Sequence, residues 1–351
     1  MPYLLLNLLF LVGLAVLLSA RSERAQDPII LLATFGSILF FNTFKDYTLL
    51  PDAPGYAEAW RYICRENSVY NRATDYYKMQ WGYFALNKVL SLFFHSTRFF
   101  FFAMGCIISL PYCYLIKKYS ANVTVSCLLY FMGVIQSTFV LRQHAAIGFC
   151  LLAIPLLCER RMITVTLLLW AAAIAIHPTA VIFGLVILAA YLRNIRLWYI
   201  IMLAFAVLLY FIYPYLVLLF ADNTAGYQVY AEALDEYSNN STAILHGSLW
   251  LIATIVLMPL STADSTTQFF YRILCIVAIF ALLSAIRMGG ELLPRMIMYL
   301  TAVEIFFIPN IGKHIQQTYL RSAFYALYLM LFFYMFAFSA HSRILDCKIE
   351  F

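Results

Sequence analysis

Apolar runs of about 15–22 residues recur along this sequence, each long enough for a helix to cross the hydrocarbon core of a bilayer. Short charged joints separate several of them, among them Arg21-Ser-Glu-Arg24, Lys117-Lys118 and Glu159-Arg160-Arg161. No water reaches the bilayer core, so a spanning segment must satisfy its own backbone polar groups, and runs of this length do so as helices. Composition agrees: 64% of the 351 residues are hydrophobic and 11% are charged, against about 25% charged in a typical soluble domain. The expected fold is all-α, a single integral membrane domain over 1–351 with about 11–12 transmembrane helices and one long external loop at 45–97.

Helices are expected at 3–20, 28–44, 99–116, 122–140, 144–158, 162–176, 179–191, 197–220, 244–260, 269–286, 296–309 and 318–338. The first run lacks a basic leader and a small-residue cleavage site, so it reads as a retained helix. Within the long loop, 79–94 is amphipathic and suits the membrane interface. The joints 21–27, 117–121, 159–161 and 192–196 each carry two Lys or Arg and fall on one side by helix parity, which makes that side cytoplasmic. The acidic loop 221–243 and the loop 45–97 then lie outside. Arg343 and Lys348 run against this trend. The net charge of +6 reflects the loop bias, since no Arg/Lys stripe for nucleic acid is present. Eight cysteines without CxxC spacing imply neither a metal nor a disulfide framework.

Arg142 is the one charged residue between Lys118 and Glu159. A lone guanidinium in hydrocarbon costs several kcal/mol, so Arg142 belongs at a membrane surface or in a protein cavity. Parity places Asp46, Asp52, Asp75, Arg142, His177, Arg287, Glu291 and Arg295 on the outer side, from five separate parts of the chain. Such convergence suits a membrane site for a soluble head group. A pump or channel would place its ionisable residues nearer the bilayer centre. Arg142, with Gln143 and His144 beside it at a helix start, makes a phosphate site. With Arg287 and Arg295 it would hold a diphosphate and stabilise it as a leaving group without a metal or other cofactor. Either His177 or Asp52 would serve as general base. The loop aromatics Tyr56, Trp60, Tyr70, Tyr76, Tyr77, Trp81 and Tyr83 would stack on sugar rings. Each residue also has a plainer reading: interfacial anchor for the arginines and aromatics, helix breaker for His177, turn former for Asp52.

Four stretches carry a resemblance to a known family: Asp52-Ala-Pro-Gly-Tyr56, STFVLRQHAAIGFCLLAI, ERRMITVTLLLWAAAIAIHPTAVIF and GELLPRMIMYL. In order and spacing the chain resembles the EpsG family of polysaccharide polymerases, relatives in role of the Wzy O-antigen polymerases. The resemblance implies that Asp52 and Tyr56 match an external acidic motif, Arg142 and Gln143 an Arg-Gln motif, His177 a helix-end histidine, and Arg295 with Tyr299 a late arginine motif. His144 departs from the pattern, which has a small or apolar residue there. The implied fold is similar to that of lipid-linked-sugar glycosyltransferases (GT-C-like). The implied activity is glycosyl transfer that joins undecaprenyl-diphosphate-linked oligosaccharide repeat units into O-antigen, capsule or exopolysaccharide, with a chain-length regulator as a membrane partner. A transferase of single sugars, a flippase or other transporter, a membrane acyltransferase and a non-catalytic scaffold are the alternatives.

Overall fold

The computed structural model describes residues 2–18, 23–49, 52–65, 77–134, 140–192, 194–223, 264–286 and 292–338, with isolated positions at 70, 248, 251–252 and 254–255. Its helices are α1 (Pro2–Leu18), α2 (Glu23–Phe44), α3 (Ala53–Ile63), α4 (Trp81–Ser91), α5 (Thr97–Tyr119), α6 (Val123–Val134) and α7 (Leu141–Glu159). They continue as α8 (Ile163–Ile176), α9 (Phe183–Tyr191), α10 (Ile195–Asn223), α11 (Ser265–Ile286), α12 (Leu292–Thr301), α13 (Glu304–Gly312) and α14 (Thr318–Phe338). Single 3-10 turns lie at Tyr47–Leu49 and Pro178–Ile182. The acidic loop beyond Asn223, the expected helix at 244–260 and the positions Asp75, Tyr76, Arg287, Glu291, Arg343 and Lys348 lie outside the described residues, apart from the isolated positions named above.

Among the described residues, four helices are long and apolar enough to cross a membrane: Asp27–Phe44, Thr97–Tyr119, Leu141–Glu159 and Arg196–Tyr213. A fifth span forms if α12 and α13 are taken together across a 42° bend. Shorter apolar helices, such as Ile163–Ile176 and Ser265–Ala281, fill the spaces between them. The protein is therefore an all-α, multi-pass membrane protein.

Three departures from the sequence expectation bear on the site. α7 starts at Leu141 rather than 144, so Arg142, Gln143 and His144 occupy its first turn. Arg and Gln are good helix formers, and nothing in that triplet stops the helix. The run expected at 296–309 is broken at Ala302-Val303. The loop after α2 contains α3, whose Ala53-Pro-Gly segment read as a turn. Proline is tolerated in a first helical turn, where its missing N–H has no partner to lose. Ala53, Tyr56, Ala57, Ala59, Trp60 and Ile63 are buried on that helix, while Glu58 and Arg61 are not. That stripe docks α3 onto the start of α5, where Trp60 stacks on Phe100 with ring centroids 4.9 Å apart. Its indole N–H donates to the His95 carbonyl at 3.2 Å.

α7 is the central post. It packs against α5 and α8, and 13 of its 19 residues are buried. At its C-terminal end Glu159 accepts a 2.7 Å bond from Lys118 and lies 4.0 Å from Arg161, so the joints 117–121 and 159–161 share one end of the bundle. Asp27 and Lys117 line one cleft together, which brings Asp27 to that end as well. Arg142 stands at the opposite end of α7, about 26 Å away at 1.5 Å per residue.

α4 lies across the end of α8. A Cβ built on Gly82 would sit 2.5 Å from the Ala175 carbonyl carbon, too close for any real side chain. Gly82→Ala is expected to push α4 off α8 and to cost about 1–3 kcal/mol, by the usual penalty for overpacking. A lower unfolding temperature of the detergent-solubilised protein is the measurement, and an unchanged one would contradict the close packing.

Candidate functional site

Arg142 is half-buried at the start of α7 and is held from the loop that leads into α4. Its Nη1 donates to the Lys78 carbonyl at 2.6 Å and to Gln80 Oε1 at 3.1 Å. Its guanidinium carbon lies 5.8 Å from the centre of the Tyr56 ring, within cation–π range. The loop backbone reaches this position because Lys78 adopts a left-handed conformation, φ 49°. Few non-glycine residues sit in that region, and they cluster where structure is held for a purpose.

A cavity of about 370 Å³ opens beside this arginine. Arg142, Asp52, Tyr56, Glu58, Tyr77, Lys78 and Tyr83 line it, so two carboxylates, two cations and three phenols face one space. Asp52 precedes α3 and makes no side-chain hydrogen bond to cap it. Tyr56 and Tyr83 meet edge to face, ring centroids 6.1 Å apart, and wall one side. The mixture of convergent polar groups and aromatic faces is what a polar, ring-bearing ligand needs.

Behind Arg142 lies a second, buried cluster. α8 ends at Ile176, and Pro178 turns the chain, leaving His177 extended between α8 and the 3-10 turn. His177 Nδ1 lies 2.6 Å from Thr179 Oγ1 and 3.4 Å from the Tyr299 hydroxyl. Thr179 Oγ1 is in turn 3.4 Å from that hydroxyl. Gln143, fully buried, donates from Nε2 to the Arg295 carbonyl and lies 3.4 Å from Met298 Sδ. These bonds clamp the first turn of α7 to α12.

The structure thus brings together Asp52, Tyr56 and Arg142 at the cavity. It brings together Gln143, His177, Arg295 and Tyr299 immediately behind. His144 is 3% exposed, has no hydrogen bond to either ring nitrogen, and does not line the cavity. Arg287 falls outside the described residues. Glu58, Lys78, Gln80 and Thr179 complete the two clusters, and sequence reasoning did not single them out. Only Thr179, one residue past the His177-Pro178 break, had a positional signal. Among the described residues no cluster of His, Cys, Asp and Glu has the makings of a metal site.

α12, which carries Arg295 and Tyr299, ends at a bend whose far side begins with Glu304. Glu304 is 4% exposed, and its Oε1 has no hydrogen-bond partner. A charge introduced at such a place without a counter-charge costs several kcal/mol. Glu304→Gln keeps the shape without the charge and is expected to leave folded yield unchanged. Glu304→Lys is expected to remove the folded peak in size-exclusion chromatography, and survival of that peak would contradict the burial.

The fold and these clusters define a polytopic helical membrane protein with a polar, arginine-bearing cavity at one end of its bundle. The family model for the EpsG family matches residues 28–348, most of the chain, and the protein belongs to the EpsG family. Its place there and its membrane helices support a membrane-embedded function related to polysaccharides. No curated protein and no solved structure matches the chain.

Proposed function

We propose that this protein is a polysaccharide polymerase of the bacterial inner membrane, with about 11–12 transmembrane helices in a GT-C-like arrangement, acting at the periplasmic face. Its donor is an oligosaccharide chain carried on undecaprenyl diphosphate, and its acceptor is a hydroxyl on the next lipid-linked repeat unit. The observation that carries this reading is the cavity in which Arg142, tied down by two oxygens, shares a space with Asp52 and three tyrosines. Family membership supports it.

Arg142 binds the diphosphate, with Arg295 close behind, and the N-terminus of α7 adds its partial positive charge. Asp52 takes the acceptor proton. Between the two candidate bases, the geometry favours Asp52, which lines the cavity with its carboxylate unused as a cap. His177 is 4% exposed and engaged with Thr179 and Tyr299, a position suited to holding α12 against the end of α8. The acceptor oxygen attacks the anomeric carbon of the donor sugar. The bond from that carbon to the diphosphate oxygen breaks, its electron pair leaves on the diphosphate, and the hydroxyl proton passes to Asp52. Direct displacement inverts the anomeric centre. Tyr56, Tyr77 and Tyr83 offer faces for the acceptor sugar. Gln143 holds α12 in register, and a chain-length regulator would act from the surrounding membrane.

Deletion of the gene, followed by chain-length analysis of the surface polysaccharide, tests this. Loss of long chains with single repeat units still on their lipid carrier is the expected result. Unchanged polymer would overturn the polymerase reading, and loss of even the first unit would favour a single-sugar transferase. A cysteine replacing exposed Glu58 should react with a membrane-impermeant maleimide added to whole spheroplasts, and protection would overturn the outer-face assignment.

A further inference from the structure

Arginine carries several rotatable bonds, and ordering such a side chain costs conformational entropy. A site that relies on one guanidinium gains if that ordering is complete before the ligand arrives. Arg142 is ordered in this way by residues from a different part of the chain, 62 and 64 positions earlier. Nη1 alone makes two hydrogen bonds, one to a backbone carbonyl and one to an amide side chain. Two acceptors on one nitrogen, with the Tyr56 ring 5.8 Å from the guanidinium carbon, fix both the position and the plane of the group. Lys78 offers its carbonyl from a left-handed backbone, an arrangement that a side chain normally avoids. Gln80 stands immediately before α4, whose place is fixed by the close approach of Gly82 to Ala175. The aim of Arg142 is therefore referred through Gln80 to the contact between α4 and α8.

We propose that Gln80 is a positioning residue: by accepting from Arg142 Nη1, it sets the guanidinium for an anionic diphosphate in the neighbouring cavity. This rests on the diphosphate reading above and adds to it the residue through which the arginine is aimed. Gln80 does not itself line the cavity, so its effect on the ligand passes through Arg142. Glutamate at position 80 keeps an acceptor oxygen of the same reach. Leucine keeps the approximate bulk and removes the acceptor.

The test is a double-mutant cycle on the full-length protein in nanodiscs, with undecaprenyl diphosphate as the probe and its Kd as the readout. Gln80→Leu is expected to weaken binding about tenfold, as lost hydrogen bonds to a charged group usually do. In an Arg142→Ala background the same change is expected to have no further effect, because its route to the ligand is already gone. Gln80→Glu is expected to restore affinity to within about twofold to threefold of wild type, well inside one hydrogen bond to a charged group. Equal losses from Gln80→Leu in both backgrounds, with unchanged unfolding temperatures, would show a merely structural role and overturn the proposal. So would wild-type affinity in Gln80→Leu. Failure of the wild-type protein to bind undecaprenyl diphosphate at all is a different result: it removes the diphosphate reading itself.

Discussion

Arg142→Ala abolishes polymer while the protein still accumulates at its normal level in the membrane: this is the largest effect expected from the structure. Removing a positioned donor from a site of developing negative charge costs on the order of 10²–10³-fold in rate. In the proposed mechanism one guanidinium serves both binding and leaving-group stabilisation. Arg142→Lys is expected to fare little better. The ammonium keeps the charge, but it is a compact point charge without the planar fork of donors. It cannot bond the Lys78 carbonyl and Gln80 as Nη1 does and still present a second nitrogen to the cavity. Chain-length analysis of the polysaccharide, with immunoblotting for the protein, provides the measurement. Normal long chains from Arg142→Ala would remove the residue from the mechanism.

Asp52→Asn has the second largest expected effect. General base catalysis contributes about 10²–10⁴-fold, and asparagine keeps the size of the side chain while losing the proton acceptor. Turnover of the lipid-linked repeat unit should fall by that factor, with affinity for undecaprenyl diphosphate held within a few-fold of wild type. His177→Asn, by contrast, breaks the bond to Thr179 and loosens the clamp on α12, so it is expected to lower the unfolding temperature together with activity. If His177→Asn instead lost turnover at unchanged stability while Asp52→Asn did not, the two roles would be exchanged.

The all-α membrane character and the pairing of the joints 117–121 and 159–161 were legible in the sequence for one reason: charge is so scarce in this chain that its position is informative. The joints 117–121 and 159–161 were assigned to one side by counting helices, and the pairing of Lys118 with Glu159 puts them at one end of the bundle. The constellation of outer residues was legible only as a list. Its division into an open cavity with Asp52 and Arg142, and a buried cluster with His177 and Tyr299, depends on α3, α4 and the helix break. α3 was hidden because Pro54 and Gly55 read as a turn. Its buried stripe of Tyr56, Ala57, Trp60 and Ile63 was nevertheless at helical spacing. The break at Ala302-Val303 carries no proline or glycine, so local propensity gives no warning of it. Gln80 had no sequence signal at all, since its importance comes from one long-range hydrogen bond.

The interruption at His177-Pro178 has a wider consequence. A proline turn in a membrane helix releases carbonyls that would otherwise call for water. Here the Trp170 indole, about two turns back on α8, donates to the Ala180 carbonyl at 2.9 Å. A Cβ on Gly184 would meet that same ring at 2.9 Å, so the indole is wedged in place from the other side. The freed Ala180 carbonyl is thus satisfied from within the protein, and an indole held from both sides makes the elbow a stiff mount for His177 and Thr179, and through them for the Tyr299 hydroxyl.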